Sequence, residues 1–144
     1  MSAEEIAGSW FRYFPEHYLW SQIMCSEINL APLGGTSFYE VDQIGKRLQD
    51  KVGDGEAWHD AWLDMADKVL ALAEAEEKKG HARTAAGAYV RSAIYRFTCE
   101  RFVHPEDPRK AASYREMLPH YEKGMKLQTP GFERVEVPYE EGPL

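Results

Sequence analysis

The chain has 144 residues, of which 44% are hydrophobic and 28% are charged, and this composition is typical of one globular domain. The net charge of −7 and the isoelectric point near 5.2 argue against a nucleic-acid partner, because phosphate binding requires concentrated lysine and arginine. No apolar run approaches the roughly 20 residues that cross a bilayer, and acidic residues stand where a signal peptide carries positive charge. We therefore expect a cytoplasmic domain whose two cysteines, Cys25 and Cys99, are reduced core thiols.

Two helices are predicted in the first third of the sequence. The first covers residues 16–29, because Pro15 suits a first helical turn and apolar residues recur through the segment. A proline and two glycines then end it. We expect Ser37 to be the N-cap of the second helix, with Glu40 completing a capping box, and the helix to continue to about Gly53.

The longest predicted helix covers residues 54–79. Asp54 suits the N-cap position, and Gly80 follows two lysines at the predicted end. Apolar residues recur at alternating steps of four and three, which predicts one face packed along its length. The residues of this face are Trp58, Trp62, Met65, Val69 and Leu72.

Two more helices are predicted, over residues 82–102 and 108–127. The short link before the fourth helix favours an antiparallel arrangement with the third. We expect Tyr89, Val90, Ala93, Ile94 and Phe97 to face inward. Asp107 and Pro108 are typical of a helix start, and a proline within the fifth helix, Pro119, predicts a kink or a break near Leu118.

The segment from residue 132 to residue 139 predicts a single half-buried strand. Val135, Val137 and Tyr139 fall on one face and polar residues on the other, and residues 141–143 are typical of a turn that starts a hairpin. A lone strand leaves its backbone groups unpaired, and even an isolated hairpin is marginal in water. Since the preceding sequence reads as helix, we expect the partner strands to lie beyond residue 144.

The sequence contains none of the common catalytic motifs. It has no G-x-S-x-G, H-E-x-x-H or C-x-x-C and no glycine-rich phosphate loop. Glu16-His17 and His59-Asp60 are adjacent pairs, whose side chains diverge on a helix and cannot hold one ion together, so we predict neither a metal site nor a cofactor. His104 differs because it lies on a loop with prolines, where it either caps carbonyls of the preceding helix or contacts a ligand.

Aromatic residues are unusually dense in the first forty positions. They are Trp10, Phe11, Tyr13, Phe14, Tyr18, Trp20, Phe38 and Tyr39. Such residues either line an apolar pocket or interface, or pack against the long helices. From these and the loop histidine we select five candidate substrate-binding residues: Tyr18, Trp20, Phe38, Tyr39 and His104.

Several motifs in this order resemble a known group of enzymes. Ala-Pro-Leu-Gly-Gly at residues 31–35 is followed by an aromatic residue and Glu40. Gly80-His81, an alanine-rich helix over residues 89–95, and the pattern F-x-H-P-x-D-P over residues 102–108 come next. This series is similar to α/β-hydrolases with a helical cap domain before the catalytic sheet. The group includes pseudooxynicotine hydrolase, fungal hydrolases that shorten pigment polyketides, and FrsA-like esterases.

The resemblance implies a mainly α bundle of about five helices plus one C-terminal strand. Residues 1–130 would form the cap domain, and residues 131–144 the first strand and turn of an α/β-hydrolase domain. It further implies a serine-type parent enzyme that cleaves an ester or an activated C–C bond of a small aromatic or polyketide-like substrate. The cap would serve as lid, pocket wall and homodimer contact, and the catalytic triad would lie outside these residues.

A different class of function also fits an all-helical chain. A free-standing protein-interaction module, resembling tetratricopeptide hairpins, would use helix pairs without catalysis. Against it, the predicted helices are long for a repeat of about 34 residues, and no second copy of the pattern appears. A G-x-S-x-G motif downstream would favour the hydrolase.

Overall fold

The computed structural model describes residues 12–139 and 142–143, and α-helices account for most of them. Their bounds are α1 (Tyr18–Asn29), α2 (Phe38–Leu48), α3 (Gly55–Lys78), α4 (Ala82–Cys99) and α5 (Pro108–Gln128). Short 3₁₀ turns follow three of the helices, at Ala31–Leu33, Gln49–Lys51 and Glu100–Phe102. The predicted helical bundle is therefore confirmed for the part of the chain that the structure describes.

Local sequence chemistry sets several helix ends as predicted. The Asp54 side chain accepts hydrogen bonds from the backbone N–H groups of Glu56 and Ala57, at 3.0 and 3.1 Å. Gly80 follows α3 in the left-handed conformation, with φ of +79°. Asp107 accepts from the backbone N–H of the second residue of α5 at 2.8 Å. Each arrangement satisfies backbone groups that a helix end leaves unpaired.

The start of α1 differs slightly from the prediction. The Nδ1 atom of His17 accepts a hydrogen bond from the backbone N–H of Trp20, so the helix begins two residues later than expected. The hydroxyl of Ser21 donates to the carbonyl of Phe14 and accepts from its N–H, at 2.8 and 2.9 Å. These bonds hold a turn before the helix, and Pro15 lies in that turn.

The capping box predicted for α2 is wrong. Ser37 occupies the N-cap position, but its side chain makes no cap hydrogen bond. Glu40 accepts hydrogen bonds from Arg91 and Tyr95 of α4 instead. The charged partner across the bundle binds this carboxylate more strongly than a neutral N–H at the helix start would. The α-helix also ends at Leu48, before the predicted limit.

Helices α3 and α4 lie antiparallel, as the short link predicts. The indole N–H of Trp58, near the start of α3, donates to the carbonyl of Thr98, near the end of α4, at 3.0 Å. Farther along α3, the carbonyl of Ala66 accepts from the hydroxyl of Ser92 at 2.9 Å. The order of these pairs reverses along the two helices, which fixes their relative direction.

The buried face of α3 follows the predicted pattern at first and then departs from it. Trp58 and Trp62 are fully buried, and Met65 is partly buried. Leu72, predicted at the end of the face, is 43% exposed, whereas its neighbour Ala73 is fully buried. A straight helix turns every 3.6 residues, so a strict seven-residue repeat drifts by about 20° per heptad away from the core.

Helix α4 is central in the bundle, because it packs against both α3 and α5. Tyr89, Val90 and Ala93 are buried as predicted, while Ile94 and Phe97 are only half-buried. Many other side chains of α4 are also buried, since a helix covered on two sides has little surface left for solvent.

A kink or a break was predicted near Leu118, and of these two the break is not seen, because helix α5 continues through Pro119. Proline lacks the N–H that would bond to the carbonyl four residues earlier, so one hydrogen bond is lost there. Pro119 itself is exposed to solvent. Beyond it, Gly124 packs closely against Val90 and the carbonyl of Ala86 on α4.

The strand predicted over residues 132–139 is not seen. Residues 132–137 have no regular secondary structure, and only Pro138–Tyr139 pairs with Gly142–Pro143, in antiparallel register. The helices of the described part offer side chains but no backbone edge to this segment. Within the described part, no neighbouring strand pairs with residues 132–137. Their alternating apolar and polar pattern therefore does not form a strand there.

Candidate functional site

Three of the five candidate substrate-binding residues lie on the surface at helix starts. Tyr18 begins α1 and is 64% exposed, while Phe38 and Tyr39 begin α2 and are 60% and 68% exposed. None of the three lines a described cleft of the protein. Their positions suit contact with another protein surface better than enclosure of a small ligand.

Trp20, by contrast, lies in the core and is 1% exposed. Its ring centroid is 5.4 Å from that of Phe14, 4.8 Å from Trp58 and 5.8 Å from Phe102. Edge and tilted contacts of this kind stabilise a core beyond simple burial. The aromatic residues that are dense in this segment therefore fall into two groups. Phe14 and Trp20 pack in the core, whereas Tyr18, Phe38 and Tyr39 lie on the surface.

His104 belongs to the loop before α5 and is exposed. Its Nδ1 accepts a hydrogen bond from the backbone N–H of Glu106 at 3.3 Å, and its carbonyl accepts from the N–H of Asp107 at 2.9 Å. Both bonds are local to the turn that leads into α5. The structure does not bring His104 together with Tyr18, Phe38 or Tyr39 in a described cleft.

A groove that the sequence did not reveal lies between α1 and the 3₁₀ turn Glu100–Phe102. Its volume is about 270 Å³. The lining residues are Leu19, Gln22, Ile23, Ser26, Glu27, Arg101 and Phe102. Three of these residues are apolar and four are polar or charged, so the groove is more polar than most small-molecule sites.

Glu27 is the unusual member of the groove. It is 7% exposed, and its Oε1 accepts a hydrogen bond from the hydroxyl of Thr98 at 2.9 Å. Its Oε2 is buried and accepts no hydrogen bond from the described residues. Burial raises the pKa of the Glu27 carboxyl to about 6, although the Thr98 hydrogen bond and the charge of Arg101 oppose the rise. An unpaired buried acceptor costs about 1–3 kcal/mol, so such groups call for an explanation.

The sequence does carry a weak signal for Glu27. Trp20, Met24 and Glu27 are spaced by four and three residues, and the first two are fully buried. This spacing puts the carboxylate on the buried face of α1. Because the neighbouring residues on this face are apolar, the sequence alone did not distinguish Glu27 from any other residue of an amphipathic helix.

A second polar cluster, which is half-buried, joins α2 to α4. Glu40 Oε2 accepts from Arg91 Nε at 2.9 Å and from the Tyr95 hydroxyl at 2.7 Å, and that hydroxyl accepts from the N–H of Ser37 at 2.8 Å. Burial, with the neighbouring carboxylate, raises the pKa of Tyr95. All of these groups satisfy one another, so the cluster serves to fix the two helices.

The described residues do not assemble a nucleophile with a base. Cys99 is buried, its Sγ lies near the Arg96 carbonyl and the Ser113 hydroxyl, and burial raises the pKa of its thiol. His59 faces Asp60, with 3.3 Å between Nδ1 and Oδ1. Within the same residues, no three His, Cys, Asp or Glu side chains are placed to hold a metal ion. None of the helices in this part combines the length and apolarity of a membrane span.

The chain is similar to parts of several fungal proteins. It is 33% identical over 137 residues to hydrolase acrC of Aspergillus aculeatus, which covers 91% of this chain and 31% of that protein. It is 35% identical over 117 residues to hydrolase LUC6 of a Fusarium species, covering 80% and 27% of the two proteins. It is 27% identical over 134 residues to the alpha/beta hydrolase ucsC of an Acremonium species, covering 90% and 27%.

These relatives confirm the predicted resemblance: the chain is homologous to one region of proteins named hydrolases, among them α/β-hydrolases. It spans less than a third of the length of the curated relatives it matches. No protein-family model and no solved structure matches the chain.

Proposed function

We propose that this chain is the helical cap region of a serine-type α/β-hydrolase. The observation that carries the proposal is the pattern of coverage, in which most of this chain matches about 27–31% of each hydrolase. The mainly helical architecture of the described part suits a cap, and no nucleophile is paired with a base within it. The remaining length of such an enzyme would supply the nucleophile, its base and the oxyanion hole.

The cap would close over the reacting groups of the parent enzyme. Closing an active site excludes water and shapes the pocket around the substrate. The resemblance supports hydrolysis of an ester or an activated C–C bond in a small aromatic or polyketide-like molecule. Tyr18, Phe38 and Tyr39, exposed at the starts of α1 and α2, are the proposed contacts with the catalytic part or its substrate.

The proposed boundary between the cap and the catalytic domain falls near residue 130. Helix α5 ends at Gln128, and residues 132–137 then run without regular structure. Val135 and Val137 are 67% and 54% exposed. In the parent enzyme this segment would pair with a neighbouring strand and form the first strand of the hydrolase sheet, which would cover both valines.

The genomic sequence on both sides of the coding region tests this proposal. We expect the reading frame to continue and to contain G-x-S-x-G between a strand pattern and a helix pattern. The corresponding full-length protein should hydrolyse a 4-nitrophenyl ester, and a serine-directed inhibitor should abolish the reaction. The 144-residue chain alone should show no inhibitor-sensitive turnover. A frame that closes on both sides without the motif would favour the interaction module.

Homodimer formation is a further proposed role of the cap. Phe38 and Tyr39 are adjacent, large and exposed, as residues at protein interfaces often are before assembly. Light scattering on the purified protein would give its mass, and replacement of both residues by serine should convert a dimer to a monomer. A wild-type monomer at high protein concentration would contradict this role.

A further inference from the structure

The groove between α1 and the 3₁₀ turn Glu100–Phe102 has the features of a ligand site. Its volume of about 270 Å³ lies just below the usual range for small-molecule pockets, so it would hold one ring or a short chain. Leu19, Ile23 and Phe102 supply an apolar wall. A larger cleft, of about 470 Å³, is lined by Gly34, Arg83, Gly87, Leu127 and Gln128, and none of these residues carries a buried polar atom without a partner.

Glu27 gives this groove a specific polar group. Its Oε1 is occupied by the Thr98 hydroxyl, which fixes the orientation of the carboxyl. Its Oε2 has no donor among the described residues, although the side chain is more than nine-tenths buried. A carboxylate oxygen in this state accepts a hydrogen bond with high selectivity, because a ligand without a donor leaves it unpaired.

Arg101 restricts the charge of the ligand. Its guanidinium lies 4.4 Å from the centroid of the Phe97 ring, and its charge acts on Glu27 from the rim of the groove. A charged ligand of either sign would be attracted by one of these two groups and repelled by the other. A neutral ligand with one donor matches the single unpaired acceptor without placing a charge beside either group.

We propose that this groove binds a compact neutral alcohol or phenol, whose hydroxyl donates a hydrogen bond to Glu27 Oε2. The apolar body of the ligand would pack against Phe102 and Ile23. Oε2 is covered in the free chain, so binding requires a neighbouring side chain of the groove to move aside. Nothing in this proposal depends on the hydrolase function, since the chain itself forms the groove.

Amide NMR on the purified 144-residue chain tests the site with two matched probes. 4-Ethylphenol carries the donor, and 4-ethylanisole has the same ring with the donor methylated. We expect 4-ethylphenol to shift the amides of α1 and of Arg101–Phe102 in a saturable way, and to bind at least about tenfold more tightly than 4-ethylanisole. Equal binding of the two probes, or no saturable shift at these amides, would overturn the proposal.

The variant Glu27→Gln then assigns the contact. Its amide oxygen still accepts from Thr98, but its NH₂ group replaces the free acceptor with a donor. The preference for 4-ethylphenol should disappear, whereas Glu133→Gln, with the same charge change on an exposed residue, should keep it. A preference that survives in Glu27→Gln would refute the assignment. If that variant does not fold, the comparison of the two probes on the wild-type chain decides.

Discussion

A methyl group built on Gly124 of α5 would lie 2.8 Å from the Cγ2 atom of Val90 on α4, closer than real side chains approach. The same methyl group would be 2.9 Å from the carbonyl oxygen of Ala86. Backbone cannot move aside as a flexible side chain can. The absence of a side chain at Gly124 therefore sets the distance between the two helices.

Gly124→Ala should destabilise the protein by about 1–3 kcal/mol, because the cost of overpacking exceeds the helix propensity gained. Gly87→Ala is the matched control, since a methyl group there meets only the end of Arg91 at an ordinary 3.7 Å. This second change should stabilise the protein by up to about 1 kcal/mol. Chemical denaturation of both variants checks the pair, and destabilisation of equal size would refute the close-contact explanation.

Trp62→Ala should lower the free energy of unfolding by about 3–5 kcal/mol. The side chain is fully buried, and its ring lies 5.4 Å from Trp58 and 5.7 Å from Tyr95 by centroid distance. Leu72→Ala, on the same predicted face but 43% exposed, should cost less than about 1 kcal/mol. Urea titrations would separate the two, and a loss at Leu72 comparable to that at Trp62 would mean that the face continues to Leu72.

The Glu27 carboxyl should make the stability depend on pH. Its pKa is raised from 4.5 to about 6 on folding, so the folded protein binds this proton more tightly than the unfolded chain. The resulting stabilisation is complete below pH about 4.5 and is lost as the pH rises through about 6, with a total of roughly 2 kcal/mol. The difference in unfolding free energy between the wild type and Glu27→Gln isolates this contribution. A difference that stays constant from pH 4 to pH 8 would contradict it.

Amide hydrogen exchange should be fast at Val135 and Val137 in the 144-residue chain. Neither residue belongs to a strand or helix of the described part, and both side chains are exposed. Their amides should become protected in the full-length enzyme, if a neighbouring strand pairs with them there. Strong protection in a proven monomer of the chain would show a backbone partner that the present structure lacks.

Several helix ends that depend on contacts within a few residues were predictable from the sequence, although the equally local His17 cap of α1 was missed. Asp54, Gly80 and Asp107 set helix ends through contacts with residues only a few positions away. Helical periodicity also identified Trp58 and Trp62 as core residues. On that face it failed at Leu72, where the drift of the repeat had accumulated, and on α4 it overestimated the burial of Ile94 and Phe97.

Side-chain contacts between helices that are distant in sequence were not predictable. Glu40 meets Arg91 at a separation of 51 positions, and Glu27 meets Thr98 at a separation of 71. For Glu40, the neighbouring residues favoured a capping box. For Glu27, they favoured an ordinary position on an amphipathic helix. Only the packing of α1 and α2 against α4 shows that these carboxylates have other partners. The candidate site at Glu27 therefore required the structure.

The two free cysteines differ in accessibility, since Cys25 on α1 is half-buried and Cys99 at the end of α4 is fully buried. A thiol reagent should therefore modify Cys25 directly and reach Cys99 only when α4 separates from its neighbours. In a Cys25→Ser variant, the labelling rate of the remaining thiol would report how often the core opens under native conditions. Cys99 thus serves as a natural probe of opening that needs no denaturant.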